Sequence, residues 1–258
     1  MIIDTHAHYD DARFEEDREN LLLEMNSAGI NRIINVGASI ESTKTTLELA
    51  KTYDYIYAAV GVHPSDIEDL NEETFLWLKK QTSWDKTIAI GEIGLDYYWD
   101  KDPEVQALQR EWFKRQLDLA AESNLPVIIH SRDAAEDTMA IMKMAHEKNI
   151  SGVIHCYSYS PEIAREYVKM GYYIGVGGVV TFKNAKKLVE TVETIPLENI
   201  LIETDCPYMA PEPYRGKRNS SLYLNYVIEK IAAIKGISQE EVKQVTWENA
   251  FRLFPKMK

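Results

Sequence analysis

The chain of 258 residues has only two cysteines, Cys156 and Cys206. That excludes a disulfide scaffold and makes the reducing cytoplasm the expected address. No apolar run approaches the roughly 20 residues that span a bilayer, so no membrane partner is expected. The opening MIIDTHAHYDD lacks the basic and apolar segments of a signal peptide. Positive charge is scarce: 29 Lys and Arg against 41 Asp and Glu leave a formal charge of −12. A broad basic surface for nucleic acid is thereby excluded, although a strand held locally by metal ions and a few arginines is not. Low-complexity tracts, Gly/Ser linkers and short internal repeats are missing too. No G-x-G-x-x-G follows the first apolar run, which counts against a doubly wound dinucleotide-binding sheet.

What is present is a regular alternation. Eight short apolar runs read as strands: Ile2–Thr5, Arg32–Val36, Tyr55–Gly61, Thr87–Glu92, Pro126–His130, Gly152–His155, Tyr172–Val176 and Ile200–Thr204. Their near-continuous apolar character suits strands buried on both faces. Amphipathic stretches lie between them: Glu15–Ala28, Ser42–Tyr53, Glu72–Gln81, Pro103–Ser123, Ala134–Lys148, Pro161–Met170 and Asn184–Glu193, with Ser220–Lys235 and Ser238–Asn249 closing the chain. Eight βα units in about 250 residues predict a single α/β domain over residues 1–258, a (β/α)8 TIM barrel with its site at the C-terminal ends of the strands.

Metal-ligand residue types sit where these strands finish. The first run ends in Asp4-Thr5-His6-Ala7-His8, and residues two apart in a strand share a side, so His6 and His8 aim two imidazoles into one space. Glu92 ends the fourth run, His130 the fifth, His155 the sixth, and Asp205 follows the eighth. Six such side chains exceed the three that a lone catalytic zinc keeps, and suit two divalent ions bridged by a carboxylate, for which Glu92 is the natural candidate. Asp205 can touch a metal and also accept a proton from an activated water. Mixed His and carboxylate donors accept Mg, Mn or Zn, leaving the metal's identity open.

These segments, Asp4-Thr5-His6-Ala7-His8, Gly91-Glu92-Ile93-Gly94-Leu95-Asp96, His130-Ser131-Arg132, His155-Cys156 and Glu203-Thr204-Asp205-Cys206-Pro207-Tyr208, resemble in order and spacing the motifs of the TatD family of metal-dependent deoxyribonucleases. The resemblance covers essentially the whole chain. It implies a barrel holding one or two divalent metal ions that cleaves phosphodiester bonds in DNA, with 3′-to-5′ exonuclease action on single strands. It also implies that His6, His8, Glu92 and Asp205 hold a first ion and Glu92, His130 and His155 a second. Two segments depart from the family pattern: Tyr159 stands where glycine is common, and Ser220-Ser221 where Glu-Pro is common. Both departures bear on which substrate fits. A metal-dependent ester or amide hydrolase, such as an aminoacyl-tRNA deacylase, is the alternative reading; a non-catalytic binding module is disfavoured because all six ligands are present.

Around this core, His63 follows the third run and is read either as a loop cap or as a group orienting phosphate. Arg132 is a candidate phosphate clamp. The basic cluster Arg215-Gly216-Lys217-Arg218, in a proline- and tyrosine-rich loop after the last strand, is expected to bring Arg215 and Arg218 to the substrate backbone. Tyr97, Tyr98 and Trp99 are read equally as base-stacking rings or as a packed lid. The two cysteines are read as small buried residues, and His146 as solvent-facing.

Overall fold

The computed structural model describes residues 1–257. Eight strands run β1 (Ile2–Ala7), β2 (Ile30–Val36), β3 (Ile56–Val60), β4 (Thr87–Asp96), β5 (Val127–Arg132), β6 (Gly152–Ile154), β7 (Tyr173–Val176) and β8 (Ile200–Ile202). Each pairs in parallel with the next in sequence order. β8 returns to β1: Ala7 bridges Cys206, Thr5 Oγ1 donates to Ile202 O, and Asp205 N donates to His6 O. The eight predicted runs are thus all strands of one nearly closed barrel. Its wall is buried on both faces, which is why the runs carry no polar alternation.

Among the described residues, nine helices cover the outside: α1 (Arg18–Glu24), α2 (Ile40–Thr52), α3 (Glu72–Gln81), α4 (Pro103–Ser123), α5 (Ala135–Glu147), α6 (Pro161–Lys169), α7 (Lys186–Thr194), α8 (Leu224–Lys235) and α9 (Gln239–Leu253). None of them, among the described residues, is long and apolar enough to cross a membrane. The first helix is shorter than the predicted 15–28. Asp17 takes a non-helical conformation, and Arg18 turns inward to donate to the carbonyls of Tyr9, Asp10 and Asp11. The expected helix over 220–235 starts later, because Ser220 caps a short 3-10 turn at its head. The last helix instead runs on to Leu253, where Leu253, Phe254 and Met257 plug the far end of the barrel.

Two features of the frame bear directly on the site. Helix α4 starts sharply because Asp102 accepts from Glu104 N and Pro103 occupies the first turn. On its buried face, Gln116 bonds both N and O of Val62, and Gln109 accepts from Asp96 N. The helix therefore fixes the ends of β3 and β4 by hydrogen bonds rather than by apolar contact alone. Strand β4 also outruns its predicted end at Glu92, pairing Gly94 with His130 and Asp96 with Arg132. Glycine is required there: Gly94 has φ of +148°, and a Cβ would lie 1.9 Å from His130 O.

Candidate metal centre

The barrel mouth holds a cavity of about 680 Å³. His8, His63, Glu92, His130, His155 and Asp205 all line it, and His6 lies immediately beneath, fully buried. Each lies in the C-terminal half of a strand or just beyond its end, Glu92 within β4 and Asp205 after β8.

Glu92 stands at the centre with its two oxygens serving different sides. Oε2 lies 3.4 Å from His6 Nε2 and 3.5 Å from His8 Nε2. Oε1 lies 2.8 Å from His130 Nδ1 and 2.7 Å from His155 Nε2. Asp205 Oδ1 completes the first group at 3.5 Å from His8 Nε2 and 3.8 Å from His6 Nε2. Two nitrogens of His6 and His8 only 2.9 Å apart, facing two carboxylates, are donors converging on a shared cation site. The structure thus brings the six predicted side chains together around Glu92, and it also sets His63 beside Glu92 and His130, and Glu203 beside His6 and His155.

The outer contacts of the rings decide which nitrogen faces the centre. His8 Nδ1 is 2.8 Å from Val36 O, so it carries a proton and turns Nε2 toward the centre. Asp96 Oδ2, 3.1 Å from His130 Nε2, does the same for His130 and turns Nδ1 there. His63 is oriented oppositely: its Nδ1 accepts from Ser65 N, so Nε2 carries the hydrogen and points toward Glu92 Oε1 at 3.8 Å. His63 is close enough to join a cluster with Glu92 and His130, but its tautomer makes it a hydrogen-bond donor rather than a ligand. It also caps the turn over residues 64–69, the first of the two readings offered by the sequence.

Charges in the centre are mutually compensated. Burial opposes ionisation of Glu92, yet His155, His63 and His130 outweigh it and hold the carboxyl well below its usual range. Burial also opposes protonation of His130, but Asp96 and Glu92 raise it to about 9. His6, desolvated and beside His155, is lowered to about 4. Asp205 is held below its ordinary value: His8, His155 and His6 outweigh its burial.

Three acidic residues entered the sequence argument only as parts of motifs. Asp96 orients His130. Glu203 is fully buried between His6 and His155, accepts from Cys156 N at 2.5 Å, and is pushed up to about 8 by desolvation. The same alternation that pairs His6 with His8 pairs Glu203 with Asp205, and that signal was available. Asp4 lies under the centre. It accepts from Thr204 Oγ1 and Ser221 Oγ, both at 2.6 Å, and so ties β1 to the end of β8 and to the following loop. Ser221, one of the two departures, supplies one of those bonds.

The basic loop turns out otherwise than expected. Arg218 forms a two-pronged pair with Asp17 and donates to Arg13 O, while the Arg215 guanidinium lies 4.2 Å from the Phe182 ring centroid. Tyr214 stacks on Tyr223 at 4.3 Å. None of the three lines the cavity: salt bridge and ring contacts commit them to the rim. Tyr208 and Met209 of the same loop do line it. Tyr159, the other departure, does not face the cavity either; its hydroxyl bonds Ser131 Oγ and accepts from Ala134 N, bracing the end of β5 beside Arg132. Cys156 lines the cavity, contrary to its reading as a packed residue, but burial and the nearby Asp205, Glu203 and Glu92 carboxylates keep its thiol protonated. Cys206 and His146 are buried and exposed as expected.

With this geometry in place, comparison with known sequences is decisive. The sequence model of the family described as "TatD related DNase" matches residues 3–255. The chain belongs to the TatD family. Among its relatives, the uncharacterized metal-dependent hydrolase YabD of Bacillus subtilis is 46% identical over 254 residues, covering 98% of this chain and 99% of that protein. The uncharacterized metal-dependent hydrolase YcfH of Escherichia coli is 34% identical over 263 residues, covering 98% and 96%. The crystal structure of YjjV, a TatD homologue from E. coli, superposes with a TM-score of 0.92 at 32% identity over 98% of each chain. TatD membership, together with the ligand cluster, makes the chain a metal-dependent hydrolase.

Proposed function

We propose that the chain is a divalent-metal-dependent deoxyribonuclease that removes nucleotides from the 3′ end of single-stranded DNA. The observation that carries this reading is the division of Glu92 between two histidine groups, the donor arrangement of a two-ion phosphodiesterase. His6, His8, Glu92 and Asp205 would hold one ion, and Glu92, His130 and His155 the other. The donor set fits: histidine lone pairs are turned inward by Val36 O and Asp96, and the carboxylates are held ionised. Mg, Mn and Zn are all compatible with these donors. Bound there, the ions supply Lewis-acid polarisation and water activation.

The cavity supports the substrate class. Its lining carries the carboxylates Asp10, Asp11, Asp66, Glu92, Asp96 and Asp205 against the single guanidinium of Arg132. A phosphodiester meets repulsion in such a cavity until cations neutralise it, so metal dependence follows from the chain's own charges. Its volume is that of a small-ligand pocket, suited to a strand end rather than to the body of a duplex. Within it, Asp205 accepts the proton of the attacking water, His63 Nε2–H donates to a phosphoryl oxygen, and Arg132 pairs with a flanking phosphate.

The test uses metal-stripped protein restored with Mg²⁺, Mn²⁺ or Zn²⁺ and a 5′-labelled single-stranded oligonucleotide. A metal-dependent ladder shortening from the 3′ end is expected. Metal binding without cleavage by any ion refutes the nuclease assignment and turns the search to carboxylic esters and amides.

The His130 titration adds a second expected result. With its metal-free pKa raised to about 9, His130 is protonated at pH 7 and must release that proton to become a ligand. Metal affinity therefore rises with pH from 7. Calorimetry in two buffers of different ionisation heat should register proton release on metal uptake at pH 7 that diminishes as the pH is raised; uptake without proton release at pH 7 contradicts the assignment of His130 as a ligand.

A further inference from the structure

We propose that Tyr98, Trp99 and Arg132 form a stacking subsite for a nucleobase at the strand end whose phosphodiester lies at the metal centre; this rests on the nuclease reading above. Trp99 leaves 67% of its surface exposed and Tyr98 44%, yet neither ring is loose. Their backbone N–H groups both donate to Asp96 Oδ1, at 2.9 and 3.0 Å, and the rings meet edge to face at 4.8 Å. The other oxygen of Asp96 lies 3.1 Å from His130 Nε2. One buried carboxylate therefore sets the aromatic turn and a metal-ligand histidine in fixed relation.

Tyr97 is of a different kind. Its hydroxyl donates to Asp137 and accepts from Arg110, which makes it a strut for the turn. Arg132, from the neighbouring strand, lies 3.9 Å from the Tyr98 centroid and 5.5 Å from that of Trp99. It has no carboxylate partner among the described residues and is the only Lys or Arg lining the cavity. A guanidinium held by aromatic faces, with its donors unpaired, is placed to meet a phosphate while an exposed indole meets the attached base.

The other wall is built to match. Tyr208 and Met209, 45% and 43% exposed, follow β8, which lies across the eight-strand ring from β4. There the nearby Arg13 is already paired with Asp11, so that wall offers rings without a free cation. The asymmetry selects the β4 side for a base with its phosphate.

The test compares an oligonucleotide of natural sequence with one whose two 3′-terminal nucleotides are abasic. Binding is read by fluorescence anisotropy in the Asp205→Asn background, with and without Trp99→Ala, and KM is read in active protein. Removing the bases should weaken binding about 10-fold, Trp99→Ala should weaken binding of the natural strand by a similar factor, and the variant should no longer distinguish the two strands. Equal binding of both strands by protein containing Trp99 overturns the subsite, whether or not DNA is cleaved. Base-dependent binding without cleavage by the active protein overturns the nuclease reading and leaves the subsite standing.

Discussion

Replacing Asp205 with asparagine should lower turnover on single-stranded DNA by about 10²- to 10⁴-fold, the range for loss of a general base. The substitution isolates that role because so little else changes. Asparagine has the same shape, and Asp205 has φ of +56°, a left-handed conformation that asparagine adopts as readily. The bond from its backbone N to His6 O, which helps to close the barrel, is retained. Lost are the negative charge 3.5 Å from His8 Nε2 and the capacity to take a proton. The melting temperature should stay close to that of the parent, and metal should still bind through His6, His8 and Glu92. Full activity in the variant, with metal content unchanged, would sink the proton-accepting role.

Replacing Glu92 with glutamine should have effects on two fronts. Glu92 is buried against His155 Nε2 at 2.7 Å and His130 Nδ1 at 2.8 Å and is the charge that both rings face. Neutralising it leaves those imidazoles short of their counter-ion in a water-poor site. Metal-free protein should lose about 3 kcal/mol of stability, the scale for breaking a buried ion pair from one side. A denaturant melt of the stripped protein measures this directly. His130, deprived of Glu92, should titrate below its present value of about 9, observable in its imidazole NMR signals. With metal added, the variant should fail to hold two ions, because the two oxygens of Glu92 are what face both histidine groups. A variant that retained two ions and parental activity would show that Glu92 is not the bridge.

Much of the molecule was written in local order. The eight apolar runs specified eight strands because a strand buried on both faces has no alternative to continuous Val and Ile, and the stretches between them were long enough for crossover helices. The side chains gathered at the mouth were equally legible. His6, His8, Glu92, His130, His155 and Asp205 each stand in the C-terminal half of a strand or just beyond it, and in a parallel barrel those ends meet at one mouth. Asp96 and Glu203 stood in the quoted motifs, but the sequence reading gave them no role; their contacts with His130, His6 and His155 come from the structure.

What local order could not decide was which long side chains reach the cavity. Arg132 and Arg218 look alike in sequence, each an arginine that follows a ligand motif. Arg218 is taken by Asp17, about 200 positions away in the chain, while Arg132 finds only ring faces. Likewise, Trp99 lines the mouth with Tyr98 packed against it while Tyr97 is drawn off by Asp137, and Tyr159, expected to bear on which substrate fits, turns its hydroxyl to Ser131. The histidine tautomers belong to the same class, set by Val36 O, Asp96 and Ser65 N rather than by the histidines themselves. Backbone periodicity fixes where a strand end points and so can be read from neighbours in the chain. The destination of a flexible charged or aromatic side chain depends on partners that only the closed barrel brings within reach.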